Sequence, residues 1–346
     1  MTTLLDCTLR DGSYAIDFQF TEADTREISR RLDILGFEYI EVGHGVGIGA
    51  SARIPAAATD EAYGEAAEAA VMRGKWGMFA IAGLATLHEI ASMVNVGMKF
   101  VRIGIEPGQI KEYRDFLISV INLDVLVFVN LMKSYVLDPV DLAKAVVQLE
   151  DLGVSGIYLV DSAGGMLPDE LKRYADVMVE SRREQVLLGF HGHDNLGLSV
   201  AHSLSCRDVG FDVIDSTFQG IGRSSGNTPT ERIVAALART GEPVPDVADV
   251  CKASEELVRQ RLPTAGTSGL DTFAGYARFH TSYMPDLISV AKRFHVDPYL
   301  LMQEHCAADL INADLFDLES RAADLATSGA HYTLSFPRDQ YSAGDQ

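Results

Sequence analysis

The sequence predicts a (β/α)8 barrel with a C-terminal helical extension, and three observations predict it. Eight short apolar runs recur along the first two thirds of the chain, separated by amphipathic stretches. The runs are continuously apolar instead of alternating, the pattern of a parallel sheet covered by helices. Polar residues with chemical capacity cluster at the carboxyl ends of the runs, the end at which such barrels hold their sites.

The elements follow in order. "LLDCT" at 4–8 is the first strand, and 22–36 has apolar residues at helical spacing up to Gly36. "YIEVG", "WGMFAI", "KFVRIGI" and "DVLVFVNL" supply strands two to five, and 138–152 is a second clear helix. "GIYLVDS" and "VLLGFHGH" are strands six and seven, followed by a helix over 196–209, and "DVIDSTF" is strand eight. "TPTE", Thr228 to Glu231, reads as a capping box with Pro229 at the first helical position, so it starts the last barrel helix. No G-x-G-x-x-G opens a helix after the first strand, which disfavours an open dinucleotide-binding sheet. The barrel occupies 1–241, a linker begins at "GEPVPDVADV", 246–330 forms a separate helical domain, and 331–346 is a polar tail that frays.

Composition narrows the function. The formal net charge is −20, with no basic stripe, so nucleic acid is not an expected partner. No apolar run approaches the roughly 18–20 residues of a membrane helix, and "MTTLLDCTLR" lacks the features of a secretory signal, which implies a cytoplasmic location. Cys7, Cys206, Cys251 and Cys306 form no C-x-x-C pair and are expected as free, mostly buried thiols.

Arg10, Asp11, Glu41, His44, Asp161, Ser162, His191 and His193 converge from strands one, two, six and seven. His191 and His193, two apart on a strand, point to one side and can grip one cation; Asp11 supplies a third ligand. Two histidines and a carboxylate leave positions open, which suits a catalytic ion. The bland alternative, surface or capping histidines, fits the bare H-x-H spacing but not its conjunction with Asp11. Arg10 serves both as an ion-pair partner of Glu41 or Asp11 and as a guanidinium that steadies an enolate oxygen. Asn195 is read first as the cap of the helix beginning "LGLSVAHS" and second as a remote metal ligand. In "QGIGRSSGNTPTE", Gly220, Gly222 and Gly226 either present amides to an anion or form a tight turn packed on the metal loop, and both readings stay open.

"DCTLRDG", "YIEVGHGVGIGAS", "VDSAGG", "HGHDNLGLSVAHS" and "GIGRSSGNTPTE" together resemble the DRE-TIM metallolyase superfamily, and most closely its 4-hydroxy-2-oxovalerate aldolase branch, over roughly 1–240. "GYARFHTSYMPDL" resembles part of that branch's extra helical domain. The resemblance implies a class II aldolase in which Asp11, His191 and His193 bind a divalent ion, Mn2+ foremost, with Mg2+, Co2+ or Zn2+ as alternatives. A 2-oxo acid such as pyruvate chelates that ion, Arg10 steadies the enolate, and Ser162 with the backbone around Gly165 holds the carboxylate; Glu41 and His44 line the substrate, and Asn195 and Gly222 stand behind the ligands. The partners implied are a 2-oxo acid and an aldehyde, a second copy of the chain, and an acylating aldehyde dehydrogenase. Two positions depart from the branch. It carries His where this chain has Tyr14, and Tyr where this chain has His280, so the two aromatic partners look exchanged, with His280 the better-matched base for the 4-hydroxyl. A Claisen-type acyl-CoA lyase or synthase ranks lower, since such relatives have Gln shortly after "RDG" and here Gln19 comes later. A non-haem iron oxygenase and a binding protein that has lost catalysis rank lower still.

Overall fold

In the computed structural model, which describes residues 2–183, 186–258, 262, 274–275 and 277–328, eight parallel strands close into a barrel in sequence order. They are β1 (Thr3–Asp6), β2 (Tyr39–Val42), β3 (Lys75–Ile81), β4 (Phe100–Ile105), β5 (Leu126–Leu131), β6 (Gly156–Asp161), β7 (Leu187–Gly192) and β8 (Val213–Ser216). β8 pairs back onto β1, with Ile214 opposite Leu4 and Asp215 opposite Leu5. Each strand is followed by its helix: α1 (Glu22–Leu35), α2 (Asp60–Glu68), α3 (Leu87–Val96), α4 (Arg114–Ile121), α5 (Pro139–Leu152), α6 (Pro168–Ser181), α7 (Ser199–Val209) and α8 (Thr230–Arg239).

Local chemistry sets the boundaries. α1 starts at Thr21, whose hydroxyl accepts the Asp24 amide while Asp24 accepts the Thr21 amide, and it stops at Gly36, which takes φ +91°. Asp138 caps α5, and Pro139 sits in its first turn, where no amide is needed. The strand period of two then sorts side chains. Leu4, Ile40, Ile103, Val129, Leu188 and Ile214 pack outward in one core with the helices. Leu5, Tyr39, Phe100, Phe128, Tyr158 and Val213 pack together inside the barrel. The Phe100 and Phe128 rings lie 5.8 Å apart and Tyr39 meets Phe100 edge-on at 5.4 Å, an apolar floor that leaves the polar residues to the other end.

One expectation is corrected. α8 begins at Thr230 with Pro229 at its cap and no side-chain cap. Thr228 instead meets the Ser203 hydroxyl at 3.1 Å, and Glu231 accepts the Gln219 amide at 3.1 Å, so "TPTE" is not a capping box. α9 (Val247–Leu257) buries Val250, Ala253 and Leu257 in the barrel's own core, whereas α10 (Met284–Phe294), α11 (Pro298–Cys306) and α12 (Leu315–Thr327) share a second core around Leu287, Val290, Leu301 and Leu318. The expected tail 331–346 lies outside the described residues. Cys7 and Cys206 are buried, Cys306 half-buried and Cys251 exposed, all as free thiols. Among the described residues no helix is long and apolar enough to cross a membrane.

Asp6 is buried between the barrel wall and α8. Its carboxylate accepts the Thr8 amide at 2.9 Å and the Thr230 hydroxyl at 3.1 Å, yet burial pushes its pKa up to about 7. The folded chain therefore holds this proton more tightly than the unfolded one does. The stability it contributes is fully present below the ordinary aspartate pKa and is lost as pH rises through about 7. Asp6→Asn keeps the shape without the charge. It is expected to be more stable than the parent at pH 8 by a few kcal/mol, with the gap closing toward about pH 4; identical urea midpoints at pH 8 would contradict this.

Candidate metal and active site

The carboxyl ends of the strands carry a closed ring of six ionisable side chains. Arg10 donates to Glu41 at 2.6 Å and to Asp11 at 2.6 Å. Arg102 reaches Glu41 at 3.4 Å and Asp215 at 2.5 Å. His191 completes it, with Nδ1 2.7 Å from Asp215 and Nε2 3.5 Å from Asp11. All six are buried, a placement that charges tolerate only when paired. Burial works against the charge on Arg10, but Glu41 and Asp11 outweigh it and hold its pKa above the usual guanidinium value. Burial also opposes ionisation of Asp11, but Arg10, His191 and His193 outweigh it and hold the carboxyl well below the usual range. Arg102 lies against the Tyr158 ring at 4.4 Å, and its Nε donates to Asn130 at 3.2 Å.

Among the described residues, two groups of three ligand atoms lie within 4.8 Å of one another, Asp11 with His191 and His193, and Cys7 with His191 and Asp215. The chemistry favours the first. Burial pushes the Cys7 thiol well up, away from the thiolate a metal needs, and its Sγ already donates to the Ser216 carbonyl at 3.4 Å. In the first group, each histidine is held through Nδ1, by the Asp215 carboxylate in one case and by the Gly226 carbonyl at 3.1 Å in the other. That is how ligating histidines are normally oriented, with Nε2 left for the ion. Burial drives the His193 pKa down to about 3, so its imidazole is neutral. His191 is opposed by burial too, but hydrogen bonds to Asp11 and Asp215 outweigh it and draw it toward the protonated form, a proton that a bound cation would replace. This buried donor set fits a divalent ion.

The loop after β8 supports that set. Asn227 donates to Asp11 Oδ1 at 3.2 Å, and the Arg223 amide reaches the same oxygen at 3.4 Å. A Cβ on Gly222 would stand 2.2 Å from Asn227 Nδ2 and 3.1 Å from Asp11 Oδ1, so only glycine lets the loop approach. The Gly220 amide donates to Thr217 and the Gly226 amide to Arg223, both within the loop. These amides are spent in a turn packed on the ligands, which favours the tight-turn reading over an anion cradle.

Four expected roles change. Glu41 is fully buried between Arg10 and Arg102, so it holds guanidiniums. His44 spends Nδ1 on the Val46 amide and Nε2 on the Ile54 carbonyl, and stacks on Phe18 at 4.2 Å; it fixes the loop after β2. The Gly165 amide donates to Asp161 at 3.1 Å and is not free for a substrate carboxylate. A Cβ there would meet the Gly275 carbonyl at 2.3 Å, so this glycine admits the backbone that leads into the helical domain. Asn195 does not cap α7: its amide donates to the Ser224 hydroxyl at 2.9 Å, while Asp194 accepts the Ser199 amide at 2.9 Å.

Ser162 is buried beside this centre, and its hydroxyl accepts the Lys133 amide at 2.9 Å. Lys133 has left-handed backbone (φ 56°), and its ammonium donates to Glu106 at 2.6 Å and to the Ile311 carbonyl, between α11 and α12, at 2.9 Å. Tyr14 and His280 come together through Arg223: the guanidinium carbon is 5.8 Å from the Tyr14 ring centre, and its NH2 donates to His280 Nε2 at 3.1 Å. Burial and the nearby Arg223 and Lys133 hold the His280 pKa well below the ordinary value, so its imidazole is neutral. Burial pushes Tyr14 up. Arg102, Asp215, Asn227 and Arg223 are the site residues the sequence reading missed.

The HMGL-like family model matches residues 2–258, the barrel together with α9. An oxaloacetate decarboxylase of Mycobacterium tuberculosis is 39% identical over 69% of this chain and 70% of its own. A 4-hydroxy-2-oxovalerate aldolase of Thermomicrobium roseum is 34% identical over 86% of this chain and 85% of its own. Among solved structures, the carboxyl transferase domain of Rhizobium etli pyruvate carboxylase superposes with a TM-score of 0.78 over 94% of this chain and 60% of that one; at 15% identity it speaks for the fold alone.

Proposed function

This chain belongs to the HMGL-like family, and we infer that it is a carbon–carbon lyase of the 4-hydroxy-2-oxovalerate aldolase type, cleaving or forming 4-hydroxy-2-oxo acids. The observation that carries the reading is the buried cluster of Asp11, His191 and His193 with the Arg10 guanidinium locked beside it. A divalent ion held by those three residues supplies Lewis-acid polarisation of the 2-oxo group and its carboxylate; Mn2+ is the first candidate.

The protein's own residues do the rest. Arg10 cannot rotate away, since Glu41 and Asp11 fix it from two sides, so its charge is pre-aimed at an oxygen that becomes negative as the enolate forms. The Ser162 hydroxyl is free to donate its proton to the substrate carboxylate while it accepts the Lys133 amide. In the synthetic direction, 2-oxo acid C3 loses a proton, attacks the aldehyde carbon, and the former carbonyl oxygen takes up a proton. Cleavage reverses this, with the 4-hydroxyl proton removed as the C3–C4 bond breaks. Tyr14 and His280 face that hydroxyl, and His280 Nε2, which carries a lone pair, is the acceptor. Loss of CO2 from oxaloacetate would generate the same enolate, and the 39% identical relative of that name favours it as a second reading.

In deuterated buffer, metal-free protein should leave the methyl signal of pyruvate intact, and added Mn2+ should bring its steady loss. A silent methyl signal with metal demonstrably bound would overturn the reading. His280→Ala should reduce aldol turnover by about a hundredfold while metal affinity measured by calorimetry stays put; unaltered turnover would remove His280 from the mechanism.

A further inference from the structure

Among the described residues, Arg223 is a cation without a counter-ion. Among the described residues no carboxylate lies within ion-pairing distance of it, whereas Arg10 has two, Arg102 two, Lys133 has Glu106, and Arg278 has Glu170 at 4.0 Å. The chain has 49 acidic residues against 29 basic ones, so the vacancy does not reflect a shortage of partners. Its Nε is buried and unpartnered, and NH2 rests on the neutral His280 imidazole. The residue's backbone is held at the site, because its amide reaches Asp11 at 3.4 Å. A half-buried guanidinium with its Nε inaccessible and no anion among the described residues, beside the proposed metal ligands, is what a ligand carboxylate or phosphate completes.

We propose that Arg223 makes this enzyme selective for an aldehyde that itself bears a carboxylate, so that the 4-hydroxy-2-oxo acid it cleaves or forms is a dianion. The proposal rests on the aldolase reading and names its substrate class. Position decides which carboxylate is met. Arg223 lies against Tyr14 and His280, the residues assigned above to the 4-hydroxyl, which puts it on the aldehyde side in that reading. Binding exchanges a single hydrogen bond to a neutral imidazole for a bidentate ion pair. It also draws NH2 off His280 Nε2 and releases the lone pair that accepts the hydroxyl proton. The correct substrate thus uncovers the base.

The test pairs aldehydes of equal length, glyoxylate with acetaldehyde and succinic semialdehyde with butanal, each with pyruvate, Mn2+ and the full chain, and measures aldol product by mass spectrometry. In the parent, kcat/KM for at least one anionic member should exceed that of its neutral counterpart tenfold or more. In Arg223→Met that ratio should fall to about one, and Arg223→Lys, which keeps the charge but not the fork, should restore part of it. Equal rates for both members in a parent that exchanges pyruvate's methyl protons would overturn this proposal and leave the aldolase reading standing. So would an equal loss for both members in Arg223→Met. Absence of methyl exchange in the parent would overturn the aldolase reading and this inference with it.

Discussion

Asp11→Asn is expected to lower Mn2+-dependent loss of pyruvate's methyl protons about a thousandfold, the equivalent of the several kcal/mol that a well-held divalent ion contributes. Asp11 is the one carboxylate in the preferred ligand group, and each oxygen has a separate duty. Oδ2 meets Arg10 and His191, while Oδ1 is aimed by Asn227 and the Arg223 amide. An amide in its place keeps the volume, loses the charge, and presents an NH2 to one of these donors. The fold should survive, because Arg10 retains Glu41. Calorimetric titration with Mn2+ separates the causes: loss of binding together with loss of exchange is the expected pair, and undiminished binding would assign the ion to another set of residues.

Arg102→Leu is expected to destabilise the protein by about 3–5 kcal/mol, the usual consequence of removing one member of a buried charge network. Arg102 is fully buried and neutralises Glu41 and Asp215 together. Without it Glu41 keeps only Arg10, and Asp215 keeps only His191. The effect should extend beyond stability, since Asp215 orients the His191 ring through Nδ1. Weakening such an outer contact lowers metal affinity by about 10–100-fold. Urea unfolding and Mn2+ titration of one preparation would measure both effects; a variant with parental midpoint and parental affinity would show that the ring is dispensable.

The sequence shows the fold because continuous apolar runs and helical periodicity are local signals, and each of the eight strands overlaps a run visible in the chain, starting at most one residue before it. Asp11, His191 and His193 are legible for a similar reason, standing at or just beyond strand ends at informative spacing. The ring beneath them is harder to read. Arg102 and Asp215 sit inside strands that scan as apolar, and the signal was their charge, since a lone arginine in "KFVRIGI" must find buried carboxylates. The partners of Glu41 and His44, two arginines in one case and the loop backbone in the other, are not legible, because adjacency to a strand end does not say what a side chain pairs with. The Arg223–His280 contact spans 57 positions and depends on how the segment before α10 meets the barrel, which no local pattern encodes.

Lys133 has a wider consequence. Its amide positions Ser162 on the catalytic face, and its ammonium grips the Ile311 carbonyl of the helical domain. One residue, in a backbone conformation that a non-glycine residue adopts only under constraint, is thus shared by two structural units. Any force that shifts the α11–α12 connection must act on Lys133, and so on the hydroxyl assigned to the substrate carboxylate. On the role proposed for Ser162, a ligand of the helical domain that moves Ile311 is expected to change affinity for the 2-oxo acid, and by reciprocity the acid is expected to change affinity for that ligand by the same factor.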